Sequence, residues 1–296
     1  MNHQAILTAL PPETKAALTR TSTARGLAHL ASYVLALTAT GTYIAIDGPF
    51  WGAVLLPHGV LLVFLFTLSH ECTHATPFRQ PWINTVVGHA IAPVLLLPFI
   101  WFRYFHLAHH RHTNDPDHDP ELAGGGRPKT WPAYLRHLTG WGYWSGNARV
   151  LWHNAFGKID APYLPPRKHG AMRTEARVML GLYLLAVLSL FWSPMLVWIW
   201  LVPVIIAQPV LRLYLLAEHG HCPPVANMLE NTRTTLTTRT VRWLAWNMPY
   251  HAEHHSFPAV PFHQLPALHA HLAAHLKSVS GGYGEFTRQY VQTLER

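Results

Sequence analysis

Residues Trp51–His74 read WGAVLLPHGVLLVFLFTLSHECTH, and this stretch decides the fold. The first part, residues 51–69, holds no Lys, Arg, Asp or Glu. As a helix it would run for about 28 Å, close to the ~30 Å hydrocarbon thickness of a bilayer. The apolar run then stops abruptly at His70-Glu71-Cys72-Thr73-His74. If the helix continues, His70 and His74 lie on one face and aim at one point, which is how two imidazoles share a metal. A membrane span that delivers paired histidines at its end is the unit from which the rest of the chain is read.

Working outward, three more stretches are long and apolar enough to span: residues 28–46, 178–192 and 195–216. The third is short, and Ser193-Pro194 would make a tight outer turn before the fourth. A fifth apolar stretch, 82–101, contains Pro93 and Pro98, which break helices. It also joins two histidine motifs that must share a side, so it reads as a re-entrant or interfacial hairpin rather than a span. Charge placement agrees with this topology. The outer loops carry no Lys or Arg. The segment 103–177 carries eleven, the N-terminus Lys15, Arg20 and Arg25, and the tail after Leu216 six more. The positive-inside rule therefore puts both termini and every histidine motif on the cytoplasmic face. The expected fold is an all-α integral membrane protein: one domain over residues 1–296, four transmembrane helices plus the hairpin, capped by a helical histidine-rich cytoplasmic layer from 103–177 and 217–296. No cleavable signal peptide is expected. Residues 123–130 read as a loop, and the Thr-rich run 231–240 as a polar connector.

The bulk numbers exclude other classes. Only 12% of the 296 residues are charged, against about 25% in soluble domains. The net charge of +8 fits cytoplasmic loops, since no basic run is interleaved with aromatics as a nucleic-acid surface requires. Cys72 and Cys222 are too few for a disulfide framework. The outlier is histidine, with 23 copies against 22 Lys and Arg together.

Two further motifs account for much of that excess. His106-Leu107-Ala108-His109-His110 and His251-Ala252-Glu253-His254-His255 repeat one HxxHH spacing 145 residues apart. His219 closes the fourth span beside Glu218 and emerges on the same face, so it completes a set of nine candidate ligands: His70, His74, His106, His109, His110, His219, His251, His254 and His255. His221, two residues on, points elsewhere if the helix continues. His29, His58, His89, His137, His153, His169, His263, His269, His271 and His275 lack this spacing and read as ordinary residues. Nine imidazoles exceed one ion's coordination number and imply two metals, but imidazole suits zinc, copper, iron and nickel alike. Asp115, Asp117 and Asp119 follow the second motif. There a carboxylate can accept the distal N–H of a ligating histidine, or ligate directly.

HECTH, HLAHHRHTNDPDHDPE and HAEHHSFPAVP resemble, in order and spacing, the three histidine boxes of membrane fatty acid desaturases and related lipid oxygenases, over roughly residues 51–268. The resemblance implies two non-haem irons, O2 as oxidant, and electrons from an external ferredoxin-like or other small carrier. It implies a lipid or acyl chain drawn from the bilayer and loss of hydrogen from an unactivated methylene, ending in an alkene or, by hydroxyl rebound, an alcohol. Some family members place an Asn four residues before the isolated histidine to reach a metal through water. Here that position is Leu215, and Asn247, four before His251, is the candidate substitute. Trp101, Phe102 and Tyr104 stand where a substrate tunnel would open, but an interfacial aromatic belt asks for the same residues and is the reading taken.

Three rivals stay open at this point. Carotenoid ketolases or hydroxylases, and other lipid hydroxylases, share the site type and an NxRxx stretch like Asn231-Thr232-Arg233-Thr234-Thr235. HExxH is also the zinc metalloprotease signature, which would leave the other clusters idle. A membrane metal transporter would bury ligands mid-span along a pathway, whereas these histidines sit at span ends and in loops.

Overall fold

The computed structural model describes residues 2–296, and the fold is mostly helical. Two short helices, α1 (His3–Ala9) and α2 (Pro12–Leu18), lead into the long α3 (Thr23–Ala45). A 3-10 turn at Trp51–Val54 opens α4 (Leu55–His74), followed by α5 (Pro81–Leu95) and α6 (Phe99–His112). Helices α7 (Trp131–Leu138) and α8 (Trp141–Phe156) precede α9 (His169–Ser189). A π-helical turn, Val197–Leu201, runs into α10 (Val202–His219). The remainder is short: α11 (Met228–Asn231), α12 (Arg239–Leu244), α13 (His251–Ser256), α14 (Leu265–Leu272) and α15 (Tyr283–Val291). A two-stranded parallel pair, β1 (Thr234–Thr235) and β2 (Val279–Ser280), ties the tail together.

Three helical stretches are long and apolar enough to cross a bilayer: Pro12–Ala45, Trp51–His74 and Val197–His219. The expected span at 178–192 is not among them. It is the end of α9, whose first turns carry Arg173, Glu175 and Arg177, and the helix stops at Ser189. Its second half nonetheless turns an apolar surface outward, with Val178, Leu182, Leu184, Leu185 and Val187 all exposed. Phe191 and Trp192 beyond it are 81% and 82% exposed. An apolar surface this continuous needs a covering phase.

The centre of the molecule is the α4–α10 pair. Gly59 lets the two backbones meet: a Cβ there would lie 2.1 Å from the Pro203 carbonyl oxygen. The adjacent His58 bridges Thr40 on α3 (2.7 Å) and the Ile199 carbonyl in the π-helical turn (2.9 Å). A polar side chain thus satisfies irregular backbone inside an apolar bundle.

Helices α5 and α6 are bent by 99° to one another. Pro98 does end the regular structure, as the N-cap of α6, but Pro93 does not break a helix; it lies within the last turn of α5. The break is built by side chains from three other elements. Tyr183, Trp200 and Tyr143 donate to the carbonyls of Pro93 (2.8 Å), Val94 (3.0 Å) and Leu95 (2.7 Å). Glu175 of α9 accepts from the first two N–H groups of α6, Phe99 (2.9 Å) and Ile100 (3.0 Å), and pairs with His89 at 2.7 Å. The backbone groups exposed by the bend therefore find partners within the protein.

Candidate metal centre

Four elements deliver the histidines. Helix α4 carries His70 and His74 on its last turns, before Ala75 closes it in the left-handed conformation (φ 58°). The apolar helix continues unbroken through the motif, so the i, i+4 pair faces one way. Helix α6 supplies His106, His109 and His110 from its C-terminal half. Helix α10 supplies His219 as its last residue, and α13 supplies His251, His254 and His255.

All nine converge. His70, His74, His106, His110 and His254 each offer a nitrogen within 4.8 Å of the others, a grouping that could hold one metal ion. His109, His219 and His255 form a second such group. His251 adjoins this second group, with its Nε2 3.2 Å from that of His219 and its ring 4.5 Å from that of His255. Nitrogen pairs meet at 2.9 Å (His74–His106) and 3.2 Å (His109–His219). Neighbouring ligands at right angles around an ion with bonds of about 2.1 Å stand about 3 Å apart. Both ring nitrogens of His70, His110 and His254, and Nε2 of His255, are buried without any hydrogen-bond partner. Orphaned buried polar atoms in such number are costly unless something binds them. Burial also pushes the imidazoles of His251, His254 and His255 well below their ordinary pKa, so they stand neutral and able to ligate. The residues present fit two metal ions.

Around this shell sit the groups that fix its orientation. Asp119 takes His109 Nδ1 at 2.9 and 3.0 Å. It also accepts the N–H groups of Asn114 (2.8 Å) and Glu121 (3.0 Å). Burial alone would raise its carboxyl, but these bonds, led by the one from His109, hold it below the usual carboxylate range. Asp115 is not part of the site: it is turned to His118 at 2.8 Å on an exposed loop. Asn247 also lies apart, its amide donating to the Phe262 carbonyl at 3.0 Å. Leu215 lines a cavity wall with carbon. His221 lies apart as well, although not because the helix continues: α10 ends at His219, His221 takes a left-handed φ of 57°, and its ring stacks on Tyr290.

Several supporting residues escaped the sequence reading. Of the expected polar connector 231–240, the first half, Asn231 to Thr235, is buried, while 236–240 is mostly exposed. The Asn231 carbonyl faces His219 Nδ1 at 3.3 Å, and Thr234 donates to Glu253 at 2.6 Å. Glu253 in turn meets His269, one of the histidines read as ordinary. Thr113 contacts His255 Nδ1 at 3.1 Å, and the Glu218 carboxylate lies 3.5 Å from His251 Nδ1. The one available signal was the NTRTT stretch itself, which the rival family comparison had singled out.

A cavity of about 450 Å³ reaches His70, His106, His109 and His251. Its apolar wall includes Phe66, Leu97, Trp101, Phe102 and Phe105. Trp101 and Phe102 thus line the cavity rather than only an interfacial belt, while Tyr104 packs beside Ile159, Leu164 and Met172. The arrangement is two histidine clusters, each able to hold a metal ion, at the end of a slot with a largely apolar wall.

The family model for fatty acid desaturases matches residues 48–287, and the chain belongs to that family. It is similar to an sn-1 oleoyl-lipid 12-desaturase of Picosynechococcus sp., 39% identical over 61 residues, 21% of this chain and 18% of that one. An enzyme of the same description from Anabaena variabilis is 31% identical over 101 residues, 29% of each chain. A chloroplastic sn-2 acyl-lipid omega-3 desaturase (ferredoxin) of Arabidopsis thaliana is 31% identical over 86 residues, 29% of this chain and 19% of that one. Each match spans less than a third of the relative.

Proposed function

We propose that the protein is a membrane-embedded, O2-dependent desaturase that introduces a double bond into a fatty acyl or lipid chain, using two irons held by nine histidines. The supporting observation is the convergence of those nine imidazoles on one end of an apolar-walled cavity. His70, His74, His106, His110 and His254 hold one iron; His109, His219, His251 and His255 hold the other. The irons supply the power to oxidise an unactivated methylene. The protein's own residues do the rest. Asp119, Glu218, Thr113 and the Asn231 carbonyl stand at the outer nitrogens of His109, His251, His255 and His219, so each ring presents Nε2 inward. Phe66, Phe102 and Leu97 hold the chain against the histidines and exclude water. The membrane reading favoured here has four spans, with the exposed apolar half of α9 facing lipid, and the site and both termini cytoplasmic. Electrons come from a separate small carrier of the ferredoxin type.

The test is lipid and pigment analysis of a host expressing the wild type or His251→Ala. The expected result is a new acyl double bond with the first and none with the second. A hydroxylated or ketolated lipid or pigment would move the protein to the rival oxygenase class, and an unchanged lipid profile with altered metal content would favour a transporter.

A further inference from the structure

The cavity that reaches the histidines is not apolar throughout. Arg212, on α10, lines it two helical turns before His219, about 10 Å along the axis. Its Nε and Nη2 are buried and meet no hydrogen-bond partner. Glu121 and Glu218 line the same cavity, but among the described residues no carboxylate lies within 4 Å of the guanidinium. The guanidinium rests on the Tyr143 ring, 4.6 Å from its centroid. One turn on from Tyr143 along α8, Asn147 reaches the same cavity, and its Nδ2 is likewise buried and unpartnered. Gly142 and Gly146 of the same helix also line the cavity, and a Cβ at either would meet nothing within 4 Å. The i, i+3, i+4 spacing of 143, 146 and 147 puts this floor on one face of α8.

A half-buried cation with buried, unpartnered nitrogens in a membrane-spanning segment is costly and is retained where it has a partner. Here the donors that could hold that partner are in place: a guanidinium whose Cζ lies over an aromatic ring, with Nε and Nη2 unused, and an amide Nδ2 beside it. A planar fork of this kind matches carboxylate and phosphate oxygens. We infer that Arg212 and Asn147 bind an oxygen anion of the substrate, a carboxylate or a lipid phosphate, inside the cavity that leads to the histidines. This rests on the acyl-lipid reading above and names what that substrate carries: an anionic group held about two helical turns from His219. Tyr143 is a positioning residue, since its hydroxyl is already committed to the Leu95 carbonyl.

The test is equilibrium binding of three probes to the iron-loaded, detergent-solubilised protein: palmitate, methyl palmitate and dipalmitoyl phosphatidate, with Arg212→Gln and Arg212→Lys beside the wild type. Charge-assisted hydrogen bonds of this kind favour the charged probe by about tenfold or more. Wild type should therefore prefer palmitate or phosphatidate to the ester by that factor; whichever is preferred identifies the anion's source. Arg212→Gln should abolish the preference and leave ester affinity unchanged, and Arg212→Lys should restore part of it. Iron content and melting temperature monitor folding; if Arg212→Gln loses iron, the comparison passes to Arg212→Lys, which must weaken the charged probe selectively. Equal binding of ester and anion by the wild type, or an undiminished preference in the variants, overturns the inference while leaving the acyl-chain reading intact. Failure of all three probes to bind overturns both.

Discussion

Asp119 and Asp115 are four residues apart in one acidic run, and the sequence treats them as equals. Packing separates them. Asp119 is folded under the end of α6, buried against His109 and held by two backbone N–H groups, whereas Asp115 stays on the loop surface with His118. A carboxylate at the outer nitrogen of a ligating imidazole fixes its tautomer and raises its basicity. Asp119→Asn should therefore lower metal affinity by about 10- to 100-fold, read as the rate at which a chelator strips iron; Asp115→Asn should leave that rate unchanged, and parity between the two would remove Asp119 from its assigned role. The second residue-scale comparison is His219 against His221. His219 is buried with its Nε2 3.2 Å from those of His109 and His251, while His221 is bound to Thr293 near the surface. His219→Ala should lose iron and product, and His221→Ala should keep both; the reverse pattern would assign the ligand to His221. Eight of the nine histidines were legible as local spacing, and His219 from the end of its span. Asn231, Glu253 and His269 were not, because each acts through a neighbour supplied by a different element, and no local pattern encodes such a meeting.

At the scale of elements, both metal groups depend on the α4–α10 contact, since α4 carries His70 and His74 and α10 carries His219. Gly59 is where that contact closes, against the Pro203 carbonyl. A methyl group there meets backbone, which cannot rotate away, so the helices must part. Gly59→Ala should destabilise by about 1–3 kcal/mol or more, visible as a lower melting temperature in detergent together with reduced iron content. Gly52→Ala is the control: a Cβ there meets nothing within 4 Å, so its effect should stay within about 0.5 kcal/mol. A Gly59→Ala protein as stable and iron-replete as wild type would mean that the helices can separate without disturbing the ligands. The apolar length of α4 and α10 was readable from composition alone. The α5–α6 bend was readable only in part. Pro98 marks it, but Pro93 sits inside the last turn of α5, where the only bond its missing N–H forgoes is the one to the His89 carbonyl; Tyr183, Trp200 and Tyr143 serve the carbonyls of 93, 94 and 95 that the end of the helix leaves free. The expected span at 178–192 was drawn from hydropathy without its helix. The helix begins at His169 and includes Arg173, Glu175 and Arg177, and Glu175 is committed to capping α6.

Across the whole molecule, charge is distributed as unevenly as hydropathy. The apolar surface lies on α3, α9 and α10, where Leu35, Leu184, Leu185 and Ile205 face outward. The cations gather elsewhere: Arg111, Lys129, Arg136, Arg149, Lys158, Arg167 and Lys168 are all exposed in the stretch from the last turn of α6 to the start of α9. This segment also supplies Glu121 and Arg127 to the cavity wall and Asp119 to the metal centre, so the basic surface and the site are parts of one layer. With eleven Lys and Arg against six Asp and Glu in 103–177, the layer is net positive, and such a field raises the encounter rate of an oppositely charged partner. The proposed donor is a small acidic electron carrier, and turnover limited by its arrival should fall as salt rises, because the screening length shrinks to about 10 Å near 0.1 M. The measurement is the apparent second-order rate constant for the donor at limiting donor concentration, followed from low to moderate ionic strength with substrate saturating. Removing exposed cations in pairs, for example Arg167→Gln with Lys168→Gln, should flatten that dependence and lower the rate at low salt without changing iron content, since neither residue touches the site. A rate constant indifferent to salt under donor-limited conditions would show that electrons arrive by another route or from an uncharged carrier. A dependence that survives loss of the Arg167–Lys168 pair unchanged would move the docking surface toward Arg136 and Arg149, on the other side of the same layer.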